Sequence, residues 1–129
     1  MLSRGDTFLT GDEEDDTLHL WIVLTPPSEG EVVTVSVTTK RRRSETLVEL
    51  HSGDHPFIVH DSVIAYSYAR IRTVEEIEVA VGSGAARLRE LISRVLLERI
   101  CNGLLDSDFT PNGIRQFYKS IQRDDPPPV

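Results

Sequence analysis

Cysteine is almost missing from this chain. Cys101 is the only one, which excludes an internal disulfide and suits a reducing cytoplasm. Long apolar runs are missing as well. The longest, Leu18-His-Leu-Trp-Ile-Val-Leu24, is too short to cross a bilayer, so no membrane partner is expected. The first residues, Met-Leu-Ser-Arg-Gly-Asp, hold no apolar segment of the kind a secretory signal needs. There is no basic excess: 14 Lys and Arg face 21 Asp and Glu, for a net charge of −7. That balance argues against a surface that binds nucleic acid as a whole. No CxxC, HExxH or phosphate-cradling glycine loop occurs, and Gly82-Ser-Gly84 reads as a short linker.

What is present describes one ordinary soluble domain. A chain of 129 residues with 39% hydrophobic and 27% charged residues can bury a single core without metal or disulfide support. Its charges are unevenly placed. Asp12-Glu-Glu-Asp-Asp16 is an acidic block and Lys40-Arg-Arg-Arg43 a basic one, both at positions that read as solvated turns.

The first half reads as short strands. Thr7 to Leu9 follows Gly5-Asp6, and Leu18 to Thr25 has the apolar content of a strand buried on both faces. Glu31 to Thr39 is rich in Val and Thr. The basic turn then leads to Glu45 to His51, predicting a hairpin, and Ser62 to Ala69 reads as a further strand. Thr73-Val-Glu-Glu76 has capping-box spacing, but Ile77 to Val81 alternates with period two and favours a strand. The second half turns helical. Leu88, Leu91, Ile92, Val95, Leu96 and Ile100 share one face, with Glu90, Arg94 and Glu98 on another and a stop at Asn102-Gly103. A second helix starts at Thr110-Pro111, with Ile114, Phe117, Tyr118 and Ile121 as its apolar stripe. Cys101, inside a Leu-rich helix, reads as a buried, inert thiol.

The expected fold is therefore β-rich α+β: a small barrel of six to seven short strands followed by two C-terminal helices. One domain spans 1–122, with the barrel over 5–82 and helices over 85–122, and 123–129 forms a disordered tail.

Two groups of residues carry possible chemistry. The first is Thr38-Thr39 directly before Lys40, Arg41, Arg42 and Arg43. A strand-end hydroxyl beside clustered cations suits a phosphodiester, and equally suits a charged turn that protects a sheet edge. The second is the histidines: His19, and then His51, His55 and His60 with Asp54 and Asp61 among them. Imidazole at His55 or His60 can do acid–base work, whereas His60-Asp61-Ser62 can also simply cap a turn through Asp61 and Ser62. The spacing matches no compact zinc motif, so neither metal nor other cofactor is expected.

Gly5-Asp6, the apolar second strand, Val35-Ser-Val-Thr-Thr39, Asp61-Ser-Val63 and Ile71-Arg-Thr-Val-Glu75 together resemble the MazF/PemK toxin family. The resemblance covers about residues 5 to 100. It implies an SH3-like barrel with a C-terminal helix, a homodimer, and a sequence-specific endoribonuclease neutralised by an antitoxin-like protein partner. The implied substrate is single-stranded RNA, cut without metal. The family's strand-end threonine falls on Thr38, with Thr39 next to it. Its arginine, from an Arg-Pro pair, has no match, and His19-Leu20 stands near that place. The Arg and Asp of some members fall on Ser67 and Ala69. The chemistry then passes to His19, Thr38 and His60 as catalytic residues, with Thr39, Lys40, Arg41, Arg42, Arg43 and His55 holding substrate. A chain without the family's arginine and acid also suits a non-catalytic SH3-like module that binds a protein.

Overall fold

A computed structural model describes residues 2–11 and 18–124, with side chains placed as far as residue 122. The acidic block Asp12 to Asp16 lies outside the described residues, as do 125–129 of the expected tail.

The described residues form a small α+β protein with six strands and three helices. The strands are β1 (Thr7–Gly11), β2 (Leu18–Val23), β3 (Glu31–Thr39), β4 (Glu49–Leu50), β5 (Ser62–Thr73) and β6 (Ala86–Arg89). They make one antiparallel sheet in the order β4-β5-β3-β2-β1-β6, curled into a half-barrel. The helices are α1 (Val74–Ser83), α2 (Arg94–Asp106) and α3 (Asn112–Asp124).

The sheet is covered on both faces. Val33, Val35 and Val37 of β3 join Leu20, Ile22, Ile64 and Tyr66 in the larger core, which receives Leu96, Ile100 and Leu104 of α2 and Ile114 and Tyr118 of α3. Val32 of β3 and Val23 of β2 turn the other way, onto Phe8 and onto Ile77 of α1. A central strand with both faces packed shows continuous burial, and Val32 to Val37 are all buried. In the smaller core Arg72 lies over the Trp21 ring, 4.2 Å from its centroid.

Several elements differ from the sequence expectation. Residues 77–81 are helical. Thr73 and Glu76 close a reciprocal capping box, Thr73 Oγ1 accepting from the Glu76 N–H (3.0 Å) and Glu76 Oε1 from the Thr73 N–H (2.9 Å). Val74, Ile77 and Val81 then face the sheet at helical spacing while Val79 is exposed, so the apparent alternation was half of a helical stripe. The capping chemistry decided a pattern too short to fix its own period.

Residues 86–89 are a strand, and the helix expected from Leu88 begins only at Arg94. Ala86–Arg89 pairs with β1, Thr7 opposite Arg89 and Thr10 opposite Ala86, and Ser93 accepts from the Leu96 N–H to start α2. Leu88, Leu91 and Val95 are exposed, so only part of the apolar series is a core stripe. Asn102-Gly103 does not stop α2, which continues to Asp106. Nor does the basic turn join a hairpin: β3 pairs with β5, and the two-residue β4 pairs with the far side of β5. The expected strand from Glu45 is mostly irregular as a result. The second helix starts near Pro111 as expected and runs to Asp124, into the start of the expected tail. However, the Thr110 hydroxyl is buried without a hydrogen-bond partner and caps nothing.

Among the described residues, no helix is long and apolar enough to cross a membrane.

Candidate functional site

The antiparallel order β5-β3-β2 puts the start of β2, the end of β3 and the start of β5 at one end of the sheet. Leu20 stands opposite Val37, and Thr39 opposite Ser62. A cleft of about 390 Å³ opens there. Its polar wall is His19, Thr38, Thr39, Arg41, His60 and Ser62; its apolar wall is Leu18, Val37 and residues 57–59. No carboxylate lines it among the described residues, in a chain whose net charge is −7.

Local hydrogen bonds set several of these positions. The Arg41 N–H donates to Ser44 Oγ (2.8 Å) and the Ser44 N–H to the Arg41 carbonyl (3.1 Å), which closes a tight turn under Arg41. The Lys40 N–H donates to the Asp61 carbonyl (2.9 Å), tying the basic turn to the start of β5. Ser62 Oγ donates to the His60 carbonyl (2.9 Å) and fixes that backbone, leaving the imidazole exposed. His19 is partly buried on β2.

The remaining residues singled out from sequence are placed elsewhere. Lys40 pairs through Nζ with Glu49 (3.0 Å). Arg42 is exposed and outside the cleft, and Arg43 lines a neighbouring groove. His55 is 2% exposed and is not among the residues that line the cleft. Its Nδ1 accepts from the Phe57 N–H (3.1 Å), so the ring proton sits on Nε2 and is donated to the Glu90 carbonyl (2.7 Å). Thr7 Oγ1 donates to the same carbonyl (2.6 Å), which joins the 55–57 loop to the chain after β6.

The histidine cluster does not converge on one point. His51 Nδ1 meets Asp61 Oδ1 at 3.0 Å on the surface, where that bond raises the His51 pKa and lowers that of Asp61. Asp61 meets His51 with its carboxylate and Ser62 donates its hydroxyl, and among the described residues neither side chain accepts a backbone N–H to cap a turn. The capping carboxylate is Asp54, which accepts from the His51 N–H at 2.7 Å. Among the described residues no three His, Cys, Asp or Glu side chains are grouped to hold a metal ion. Cys101 is buried, its thiol pushed up by desolvation and donating toward the Leu24 carbonyl.

The chain matches no protein-family model and no curated protein.

The apolar wall was not singled out from sequence. Residues 57–59 form an apolar run between His55 and His60, but nothing in the run says that residue 58 turns into the core while its neighbours stay partly or fully open.

Proposed function

We propose that this chain is a MazF/PemK-like toxin with an SH3-like barrel, a metal-independent endoribonuclease that cuts single-stranded RNA in the cleft at the β2–β3–β5 end. One observation carries the reading: two imidazoles, a guanidinium and two threonine hydroxyls share one cleft wall, on which no carboxylate stands among the described residues. Such a wall attracts a phosphodiester and can move protons at it.

Cleavage then proceeds by attack of the ribose 2′-oxygen on phosphorus. One imidazole of the pair His19 and His60 takes the 2′-hydroxyl proton. The bond from phosphorus to the 5′-oxygen breaks, and that oxygen takes a proton from the other, protonated imidazole. A 2′,3′-cyclic phosphate and a 5′-hydroxyl result. Arg41 neutralises the phosphate, and Thr38 donates a hydrogen bond to a non-bridging oxygen as charge grows there.

Single-stranded RNA incubated with the purified protein in excess chelator tests this. Cutting is expected, with a bell-shaped rate against pH, and His19→Ala and His60→Ala each lose on the order of 100-fold or more. Intact RNA, or wild-type rates in both variants, would sink the proposal. In cells, induced expression should arrest bacterial growth, and co-expression of a neighbour-encoded, antitoxin-like partner should relieve the arrest. A homodimer belongs to the same reading.

A second reading, a non-catalytic SH3-like module that binds a protein, is favoured by the exposed apolar side chains of Leu18 and Val59 on the cleft wall. It expects intact RNA and a stable complex with that partner.

A further inference from the structure

The other side of Thr38 opens into a second groove of about 460 Å³, so this one residue lines both depressions. Two aromatic side chains stand in it largely in solvent, Tyr68 at 71% and Phe109 at 63% exposure. Large aromatic rings left this open in one groove ask for a partner with flat, apolar faces.

Both rings are held out by specific backbone devices. On β5, residues 66–69 lie between the paired positions Ala65 and Arg70, while on β3 only Val35 lies between Ser36 and Thr34. Four residues against one make a large bulge, which sends Tyr66 and Ala69 into the core and Ser67 and Tyr68 out. Phe109 sits in the turn between α2 and α3. Its N–H donates to Ser107 Oγ (3.1 Å), and that hydroxyl donates to Glu45 Oε2 (2.6 Å). The ring is therefore carried on a pinned backbone with its side chain free of the core.

The basic turn straddles Thr38: Arg41 lines the first cleft and Arg43 the second groove. Glu45 is the acid on the groove wall, and its carboxylate is already engaged by Ser107. Cations on both sides of a shared threonine, with two open aromatic rings beyond it, describe a path for a polyanion that carries stackable bases.

We infer that this groove continues the substrate path: a single strand of RNA crosses Thr38, and Tyr68 and Phe109 stack the bases of nucleotides next to the cleaved phosphate, with Arg43 on the following phosphate. The inference rests on the cleavage reading for its substrate but concerns binding alone. Stacking tolerates any base because every base has a π-face, so the groove supplies affinity rather than sequence choice.

Binding of a fully 2′-O-methylated single-stranded RNA oligonucleotide, which cannot be cut, tests it by fluorescence anisotropy at fixed low salt. Tyr68→Ala and Phe109→Ala should each weaken binding by about 5- to 100-fold. Tyr68→Trp should retain it, and Arg43→Ala should weaken it and flatten its salt dependence. Circular dichroism of both alanine variants controls for folding, and their exposed rings make loss of fold an unexpected outcome. Binding by the wild type without cutting would overturn the cleavage reading and leave the groove as an RNA-binding surface. Cutting by the wild type, with unchanged binding in both alanine variants, would overturn the groove and assign its aromatics to a protein partner. A wild type that neither binds this oligonucleotide nor cuts unmodified RNA would overturn both.

Discussion

The ring of Tyr66 crosses α2 at Gly103. A Cβ on Gly103 would overlap the Tyr66 hydroxyl and come within 2.8 Å of its Cζ and 3.0 Å of Val48 Cγ2. The hydroxyl that occupies the space donates to the Ile100 carbonyl at 2.7 Å, and burial pushes its pKa well above the ordinary phenol value. Glycine inside a helix costs about 1 kcal/mol relative to alanine. Here it creates the slot through which the bulged strand β5 is fastened to α2.

Gly103→Ala should therefore destabilise the protein by about 1–3 kcal/mol despite the better helix propensity, because the overlap outweighs that gain. Urea denaturation measures it, and a stabilised variant would mean the Tyr66 ring yields freely. Tyr66→Phe should cost about 1 kcal/mol by leaving the Ile100 carbonyl one partner short.

Thr110 buries a hydroxyl that has no hydrogen-bond partner. Thr110→Val keeps the shape and removes the orphan, so a gain of about 1 kcal/mol is expected in the same denaturation experiment. A loss of similar size would place an unseen partner at that hydroxyl.

His55 separates scaffold from site. Its Nδ1 holds the Phe57 N–H of its own loop and its Nε2 the Glu90 carbonyl across the fold, so His55→Ala should cost on the order of 2–3 kcal/mol of stability. Under the proposed cleavage reading, the rate of RNA cutting per folded molecule should stay unchanged, in contrast to His19→Ala. A specific loss of rate at full folding would return His55 to the site.

The surface pair His51–Asp61 makes a pH-dependent link between the turn after β4 and the start of β5. The His51 pKa is raised above 6.5, first by its bond to Asp61, so its contribution is complete below the unfolded value and disappears as pH rises through the folded one. The Asp61 pKa is lowered, first by the bond to His51, so its contribution is present above the unfolded value and disappears as pH falls through the folded one. The pair therefore acts between these limits, and weakly, since both side chains are exposed. In NMR titration Asp61→Asn should move the His51 midpoint down; an unmoved midpoint would break the assignment.

Arg72 is held to a pKa of about 10, first by burial and then by Arg70, and its Nε has no hydrogen-bond partner. It lies over Trp21, the only tryptophan, so indole fluorescence reports on it directly. Arg72→Lys gives up the planar stack and should cost about 1 kcal/mol. Arg72→Met removes both the charge and the orphan donor and should match or exceed the wild type; the reverse order would show that the cation itself is what Trp21 needs. Because the folded pKa lies below 12.5, the unfolded chain keeps the proton longer, and this residue's share of stability grows as pH rises through about 10.

Local chemistry was enough to place some elements. The Val- and Thr-rich run Glu31–Thr39 is a strand over the expected residues, and the helix after Pro111 starts where proline at a first turn places it. Composition and the change of period gave the α+β class. The residues gathered in the cleft, His19, Thr38, Thr39, Arg41 and His60, were legible as types suited to a phosphate but not as neighbours, since only the order β5-β3-β2 brings three strand ends together.

The other elements depend on partners distant in the chain. Residues 74–81 satisfy either period until the capping box and the Phe8–Val32 face select the helix. Gly103 looks like a stop until the Tyr66 ring is seen to need its missing Cβ. Ala86–Arg89 is a strand because β1 has an edge to pair, and β5 bulges because the chain must place Tyr66 inside and Tyr68 outside within three residues. In each case the local energies of the alternatives differ by about 1 kcal/mol or less, and the burial available from a distant partner is several times larger.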